Sequence, residues 1–267
     1  MPGSLSFQPE ANLDPMQTTF FSPGRLLLAL IALPLALGLA GCGKKDDAGA
    51  GPAGSPVAAV APPAGKAWTE VISVTPEGGY LMGNPKAPIK VIEFASLTCP
   101  HCAEFAEKGL PHLRDEYVAK GTVSLEFRNF VRDPYDTTMA MLVRCGSPDS
   151  FFALTEQVFA SQKDIFDKLK PVGPALQAAN LPPAQIFKAI GERGGLTDFF
   201  AARGVAKDQA LQCLAKSDAA TKLADDTSKA GDTYNITGTP TFIVNGRNVE
   251  VATWEALEPI LQQAGAR

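Results

Sequence analysis

"VIEFASLTCPHC", residues Val91 to Cys102, carries an apolar stretch straight into two cysteines separated by a proline and a histidine. The run from Ile89 to Ala95 suits a buried strand. Downstream, Phe105, Leu113 and Tyr117 fall on related turns, so the cysteine pair stands where a strand hands over to a helix, and Pro111 is expected to kink that helix. With Cys99 as N-cap, Pro100 takes the first helical position, where its missing N–H costs nothing, and the unpaired N–H groups of the first turn point at the Cys99 sulfur. The helix dipole and a protonatable His101 nearby favour the thiolate. Cys102, one turn in, is placed to resolve a mixed disulfide. A stabilised thiolate makes an easily reduced disulfide, hence an oxidising centre.

Competing uses of the pair fit less well. A c-type haem needs Cys-x-x-Cys-His, but Cys102 is followed by Ala103. A structural zinc site needs four ligands; there is no second Cys-x-x-Cys, and the chain has five cysteines and only two histidines, His101 and His112. A purely structural Cys99–Cys102 bond would close too small a loop to remove much chain entropy. Neither a metal nor a cofactor is expected.

Outward from the motif, "TVSLEFRNF" (Thr122 to Phe130) reads as the next strand, completing a strand–helix–strand crossover of the parallel type. Upstream, Val71 to Met82 reads as a hairpin turning at Gly78-Gly79. From about Asp133 to Ala230, alanine, leucine, lysine and glutamine dominate. Breaks at Gly146-Ser147-Pro148, Pro171 to Pro174, Pro182-Pro183 and Gly194-Gly195 divide this stretch into successive helices. "TGTPTFIVNGRNVEV" then returns to strand character, with Asn245-Gly246 a two-residue hairpin signal between Thr241–Val244 and Arg247–Val251. Thr253 can cap a last helix, Trp254 to Gln263.

The chain has 267 residues, 45% hydrophobic and 19% charged, enough to bury a sizeable core. A formal net charge of -4, without a basic cluster in the folded part, excludes a polyanion-binding surface, so nucleic acid is not an expected partner. Arg25 precedes an apolar run, Leu26 to Ala40, of signal-peptide length, ending in Leu39-Ala40-Gly41-Cys42. That tetrapeptide resembles the bacterial lipobox, which implies a signal over 1–41 and a lipid on Cys42; an uncleaved anchor is the alternative. Met1 to Pro15 make the segment unusually long, so Met16 is a second candidate start. Gly43 to Lys66, rich in Gly, Ala and Pro and without apolar periodicity, reads with Cys42 as a flexible tether over 42–66. The folded part is expected over 67–267.

"VIEFASLTCPHC" together with "TGTPTF" resembles the DsbA family of thiol-disulfide oxidoreductases. The resemblance implies an α/β, thioredoxin-like fold with an inserted helical domain at about 133–230. It makes Cys99 the nucleophile, Cys102 the resolving thiol and Pro240 a cis-proline facing the pair. It gives Thr239 backbone contacts to an extended substrate, and Glu93 the part of a buried acid that shuttles the proton for Cys102. From the residues alone, the alternative for Glu93 is an edge-exposed strand acid, and for Pro240 an ordinary trans turn proline. With Cys42 and the active pair accounted for, Cys145 and Cys213 are left as one pair in an oxidising compartment and are expected to form a structural disulfide, resembling some relatives that carry a second one there; two separate buried thiols are the alternative.

The resulting expectation is a periplasm-facing envelope lipoprotein that introduces disulfides into exported proteins with free cysteines. A membrane redox partner would recycle it. Gly43, in place of the aspartate associated with inner-membrane retention, points to the outer membrane. Thr239 keeps an isomerase or reductase in play, because the resemblance associates valine there with the best-known oxidases and threonine often with isomerases. A non-catalytic binding lipoprotein is the remaining reading.

Overall fold

The computed structural model describes residues 54–267. The signal over 1–41, Cys42 and the start of the tether lie outside them. The sheet comprises β1 (Ile72–Val74), β2 (Tyr80–Gly83), β3 (Ile89–Ala95), β4 (Val123–Asn129), β5 (Thr241–Val244) and β6 (Arg247–Asn248), in the order β1-β2-β4-β3-β5-β6. β3 runs parallel to β4 and antiparallel to β5, so it lies in the interior of the sheet.

That position explains its near-continuous apolar sequence, since both faces of the strand are covered. Ile89 and Val91 join the large core that also takes in Leu125, Phe127 and Phe105. Phe94 packs on the other side with Ile243 and Ala230. Glu93 shares the pleat face of Val91 and sits opposite Phe127 on β4 and Phe242 on β5, which places a carboxyl among aromatic neighbours.

α1 (Pro100–Lys108) starts as the loop after β3 ends. Its path is interrupted at Gly109, where a Cβ would come within 2.6 Å of the Phe105 ring. Past the short α2 (Leu110–His112), the turn widens at Leu113–Tyr117 and tightens again at Val118–Lys120. Pro111, which has no N–H to donate back to the preceding turn, accounts for this irregular course.

The helical insertion follows β4 as α3 (Pro134–Val143), α4 (Phe151–Ala160), α5 (Gln162–Leu169), α6 (Val172–Ala179), α7 (Pro183–Arg193), α8 (Leu196–Ala201), α9 (Lys207–Leu214) and α10 (Ser217–Tyr234). α3 is its centre, buried from Asp136 to Val143 without a polar face. The chain returns through β5 and β6 and closes with α11 (Trp254–Gln263). At the β5–β6 turn, Asn245 and Gly246 both hold positive φ, 48° and 83°, as a type I′ hairpin requires. The second hairpin strand stops at Asn248, short of Val251, because Glu250 turns to φ 54° and ends the extended backbone. Cys145, just after α3, is bonded to Cys213 on α9 with a Cα–Cα distance of 6.0 Å. Among the described residues no helix is long and apolar enough to cross a membrane.

The described part of the tether differs from the sequence expectation. The Gly54 N–H donates to the Gln263 carbonyl at 2.7 Å, Val57 to Gly265 at 2.9 Å and Val60 to Lys120 at 2.9 Å, while Trp68 Nε1 donates to the Val60 carbonyl at 2.7 Å. Gly54, Val57 and Val60 are thus held by the body of the fold upstream of Ala67. The segment's own backbone donors satisfy carbonyls at the end of α11 and of the Val118–Lys120 turn, so no apolar periodicity is needed to dock it.

Candidate active site

Cys99 is the N-cap of α1, with extended backbone (φ −90°, ψ 121°), and Pro100 follows at the first helical position. Both motif cysteines are free and buried. The Cys99 thiol donates to the Thr239 carbonyl at 3.1 Å, and the Thr239–Pro240 peptide is cis. The loop after β3 and the loop before β5 thus meet at one sulfur, 140 residues apart in the chain.

The surroundings split the two thiols. Cys99 is lowered to about 5: the Cys102 thiol donates to its sulfur, burial opposes, and Thr239 and the backbone N–H groups of Cys102 and His101 add to the stabilisation. The Thr239 hydroxyl is buried with no other partner, so a thiolate is the acceptor it lacks. Cys102 is pushed far up by burial, and further by its bond to Cys99 and the nearby Glu93 carboxyl. Glu93 is 3% exposed, and burial first, then the Cys99 charge, raises it to about 8. At neutral pH this arrangement favours a Cys99 thiolate, a Cys102 thiol and a largely protonated Glu93, a distribution suited to passing one proton inward.

His101 lies differently from the sequence expectation. Its side chain is 77% exposed and its Nδ1 is 3.9 Å from Glu104, so its action on Cys99 comes from its backbone N–H and not from its ring. His112 bonds Glu116 at 2.7 Å and stacks on Trp254, outside this cluster. Among the described residues no group of three or more His, Cys, Asp or Glu side chains could hold a metal ion.

Glu93 also borders a small internal cavity with the Thr155 hydroxyl, which is buried without a partner. Ala106, Phe152, Glu156 and Phe159 line both this cavity and the open groove beside α1. These shared side chains stand between Glu93 and solvent.

The motif loop is held from the insertion by residues that sequence reading missed. Gln162 Nε2 donates to the carbonyls of Leu97 and Cys99 at 3.0 and 3.1 Å. Asp136, fully buried and raised to about 6 by burial, accepts the Leu97 N–H at 2.8 Å and the Arg132 N–H at 3.1 Å. Arg132 in turn donates to Ser96 and Thr98. The available signal was Asp133-Pro134 directly after β4: Asp133 caps α3 by accepting from Tyr135 and Asp136, which fixes Asp136 one turn into a helix start facing the motif.

A family model described as Thioredoxin matches residues 75–263. A solved structure described as a protein-disulfide isomerase from Novosphingobium aromaticivorans is 36% identical, with a TM-score of 0.65, and covers 69% of this chain and 96% of its own. The Wolbachia pipientis alpha-DsbA1 structure shares the fold at 24% identity and a TM-score of 0.57, covering 72% of this chain and 92% of its own. A Rickettsia prowazekii protein, provisionally named a protein-disulfide oxidoreductase, is 25% identical over 182 residues, which are 68% of this chain and 60% of that one. Against the similar Rickettsia felis and Rickettsia bellii proteins the covered share of the relative is 54% and 65%, so the match spans less than two thirds of these relatives.

Proposed function

Because the chain belongs to the thioredoxin family, with the DsbA-type form of the fold, we propose that it is an envelope thiol-disulfide oxidoreductase that introduces disulfides into exported proteins. The observation that carries this reading is the split between the two thiols, Cys99 lowered to about 5 and Cys102 raised. A stabilised Cys99 thiolate makes the dithiol the favoured form, so the Cys99–Cys102 disulfide readily accepts two electrons.

In the proposed cycle a substrate thiolate attacks the Cys99 sulfur of the disulfide. The Cys99–Cys102 bond breaks and Cys102 leaves as a thiolate that takes the proton of Glu93. A second substrate thiolate then attacks the substrate sulfur of the mixed disulfide and expels Cys99 as its stabilised thiolate. The substrate is oxidised by two electrons and the pair reduced by two; a membrane redox partner removes them. The Thr239–Pro240 backbone beside Cys99 would hold the substrate in extended form.

Equilibration with glutathione tests the direction. The expected potential lies above about −180 mV, more oxidising than protein disulfide isomerase; a value near thioredoxin's, about −270 mV, overturns oxidation in favour of reduction. The isomerase reading draws on Thr239 and on the 36% identical structure described as an isomerase. For localisation we read Cys42 as lipidated and the protein as facing the periplasm, from the outer membrane. Cys42→Ser is expected to lose the lipid and leave the membrane fraction, and unchanged acylation by mass spectrometry would refute the anchor.

A further inference from the structure

On the face of the sheet covered by α10, away from the cysteine pair, Arg144 caps the C-terminus of α3 and is half-buried. Its Nε donates to Asn129 Oδ1 at 2.8 Å, its Nη1 to the Gly78 carbonyl at 2.9 Å, and its guanidinium stacks 5.3 Å from the Tyr80 ring centre. No carboxylate among the described residues lies within the 4.0 Å ion-pair distance of it, and no acceptor there engages its Nη2. Asp226, itself bonded to Lys222 at 2.8 Å, acts on the guanidinium from beyond that distance, so Arg144 has no carboxylate of its own.

The neighbouring amide is incomplete in the same sense. Asn129 is 4% exposed, and its Nδ2 is buried with no acceptor. Its orientation is fixed, because the oxygen must face the Arg144 Nε–H. Arg144 and Asn129 both line a cavity of about 340 Å³, with Lys222 and Lys229 on its α10 side. The acids in reach are engaged: Glu126 holds Arg128 at 2.7 Å with Glu77 at 3.7 Å, and Asp226 is bonded to Lys222 at 2.8 Å. Lys229 pairs with no acid among the described residues. The lining therefore offers one buried donor lacking an acceptor, Asn129 Nδ2, beside the Arg144 Nη2 that no acceptor among the described residues engages, and it carries more cations than carboxylates.

We infer that this cavity binds a small oxyanion, a phosphate, sulfate or carboxylate group, with Arg144 Nη2 and Asn129 Nδ2 as its direct donors and Lys229 as a flanking charge. A tetrahedral or planar oxyanion accepts from a guanidinium and an amide together, and charge-assisted bonds of this kind are among the stronger ones proteins make. Phe94 and Tyr234, whose rings lie 5.4 Å apart, give the cavity an apolar side on which an organic group attached to the anion can rest.

The test is thermal unfolding and calorimetric titration of the oxidised full chain with inorganic phosphate, against chloride at equal ionic strength. Wild type is expected to gain Tm with phosphate. Phosphate also stabilises proteins non-specifically by exclusion from their surface, and Asn129→Asp separates the two effects. The new carboxylate still accepts from Arg144 Nε and gives it a directly bonded counter-ion, while its second oxygen replaces the Nδ2 donor and repels the anion. This variant is expected to be at least as stable as wild type without phosphate and to lose at least tenfold in phosphate affinity. Lys229→Ala, at an exposed position on α10, is expected to lose two- to fivefold. A wild-type response no larger than that of chloride, or an undiminished response in Asn129→Asp, would overturn the site. Sulfate and acetate in the same titration distinguish a tetrahedral from a carboxylate ligand.

Discussion

Cys102→Ser protein is expected to accumulate mixed disulfides with reduced substrate proteins through Cys99, while Cys99→Ser forms none and loses exchange altogether. The asymmetry follows from the two environments. Cys99, at the N-terminus of α1 and beside Thr239, is the less buried of the two, 3% exposed, and the one held as a thiolate, whereas Cys102 is fully buried and held as a thiol. Without Cys102 nothing resolves the adduct, so it persists until an external thiol cleaves it. The same environments set the pH profile. Alkylation of Cys99 in the reduced protein should show a midpoint near its lowered value of about 5, with Cys102 protected throughout.

The signs for stability are opposite for the two shifted groups. Cys99, depressed in the fold, stabilises the reduced form fully above its ordinary value of 9.0, and this is lost as pH falls through about 5. Glu93, raised in the fold, contributes fully below its ordinary 4.5 and loses its contribution as pH rises through about 8. The oxidised protein lacks the Cys99 term, so the Tm advantage of reduced over oxidised protein should shrink as pH is lowered from 7 to 4. A Cys99 alkylation midpoint near its ordinary value of 9.0 would remove the basis of the oxidase reading.

The second large effect is expected from the other cysteines. The Cys145–Cys213 bond spans a sequence separation of 68, and closing a loop of that size restricts the unfolded chain by up to about 4.4 kcal/mol in the chain-entropy model. For a domain of this size that corresponds to a Tm loss of roughly 10 °C in the Cys145→Ser/Cys213→Ser double variant. Calorimetry under non-reducing conditions measures it. The alkylation profile of Cys99 should be unchanged in the same variant, because the bond ties α3 to α9 and not to the motif loop. A Tm within one or two degrees of wild type would mean that the reduced chain is already restricted there.

Where physics acts locally, the sequence was informative. The apolar run Ile89 to Ala95, the Cys-Pro start of α1 and the Asn-Gly turn each depend on neighbours within a few residues, and each reads directly into β3, α1 and the β5–β6 hairpin. The supports of the motif were not legible. Asp136 acts on Leu97 across 39 residues and Gln162 across 65, and one amide bond from a helix leaves no periodic trace. Gly54 to Lys66 was opaque for a related reason: it docks through backbone N–H groups, which every residue but proline possesses. The direction of the His101 ring depends on a side-chain rotation that its position at the helix start does not determine.

The bond between Cys99 and Thr239 has a consequence for the order in which the chain is made. A ribosome delivers Cys99, Cys102 and Cys145 well before Cys213, and Thr239 later still. Until about residue 244 is available β3 lacks its β5 neighbour, so the two reactive sulfurs emerge without the backbone that will cover them. Before Cys213 emerges, the only other cysteines of the folded part that Cys145 can pair with are Cys99 and Cys102. A correct product therefore depends on such early pairings being reversible, a property the lowered Cys99 thiol itself provides: in any bond it makes, it is a good leaving group.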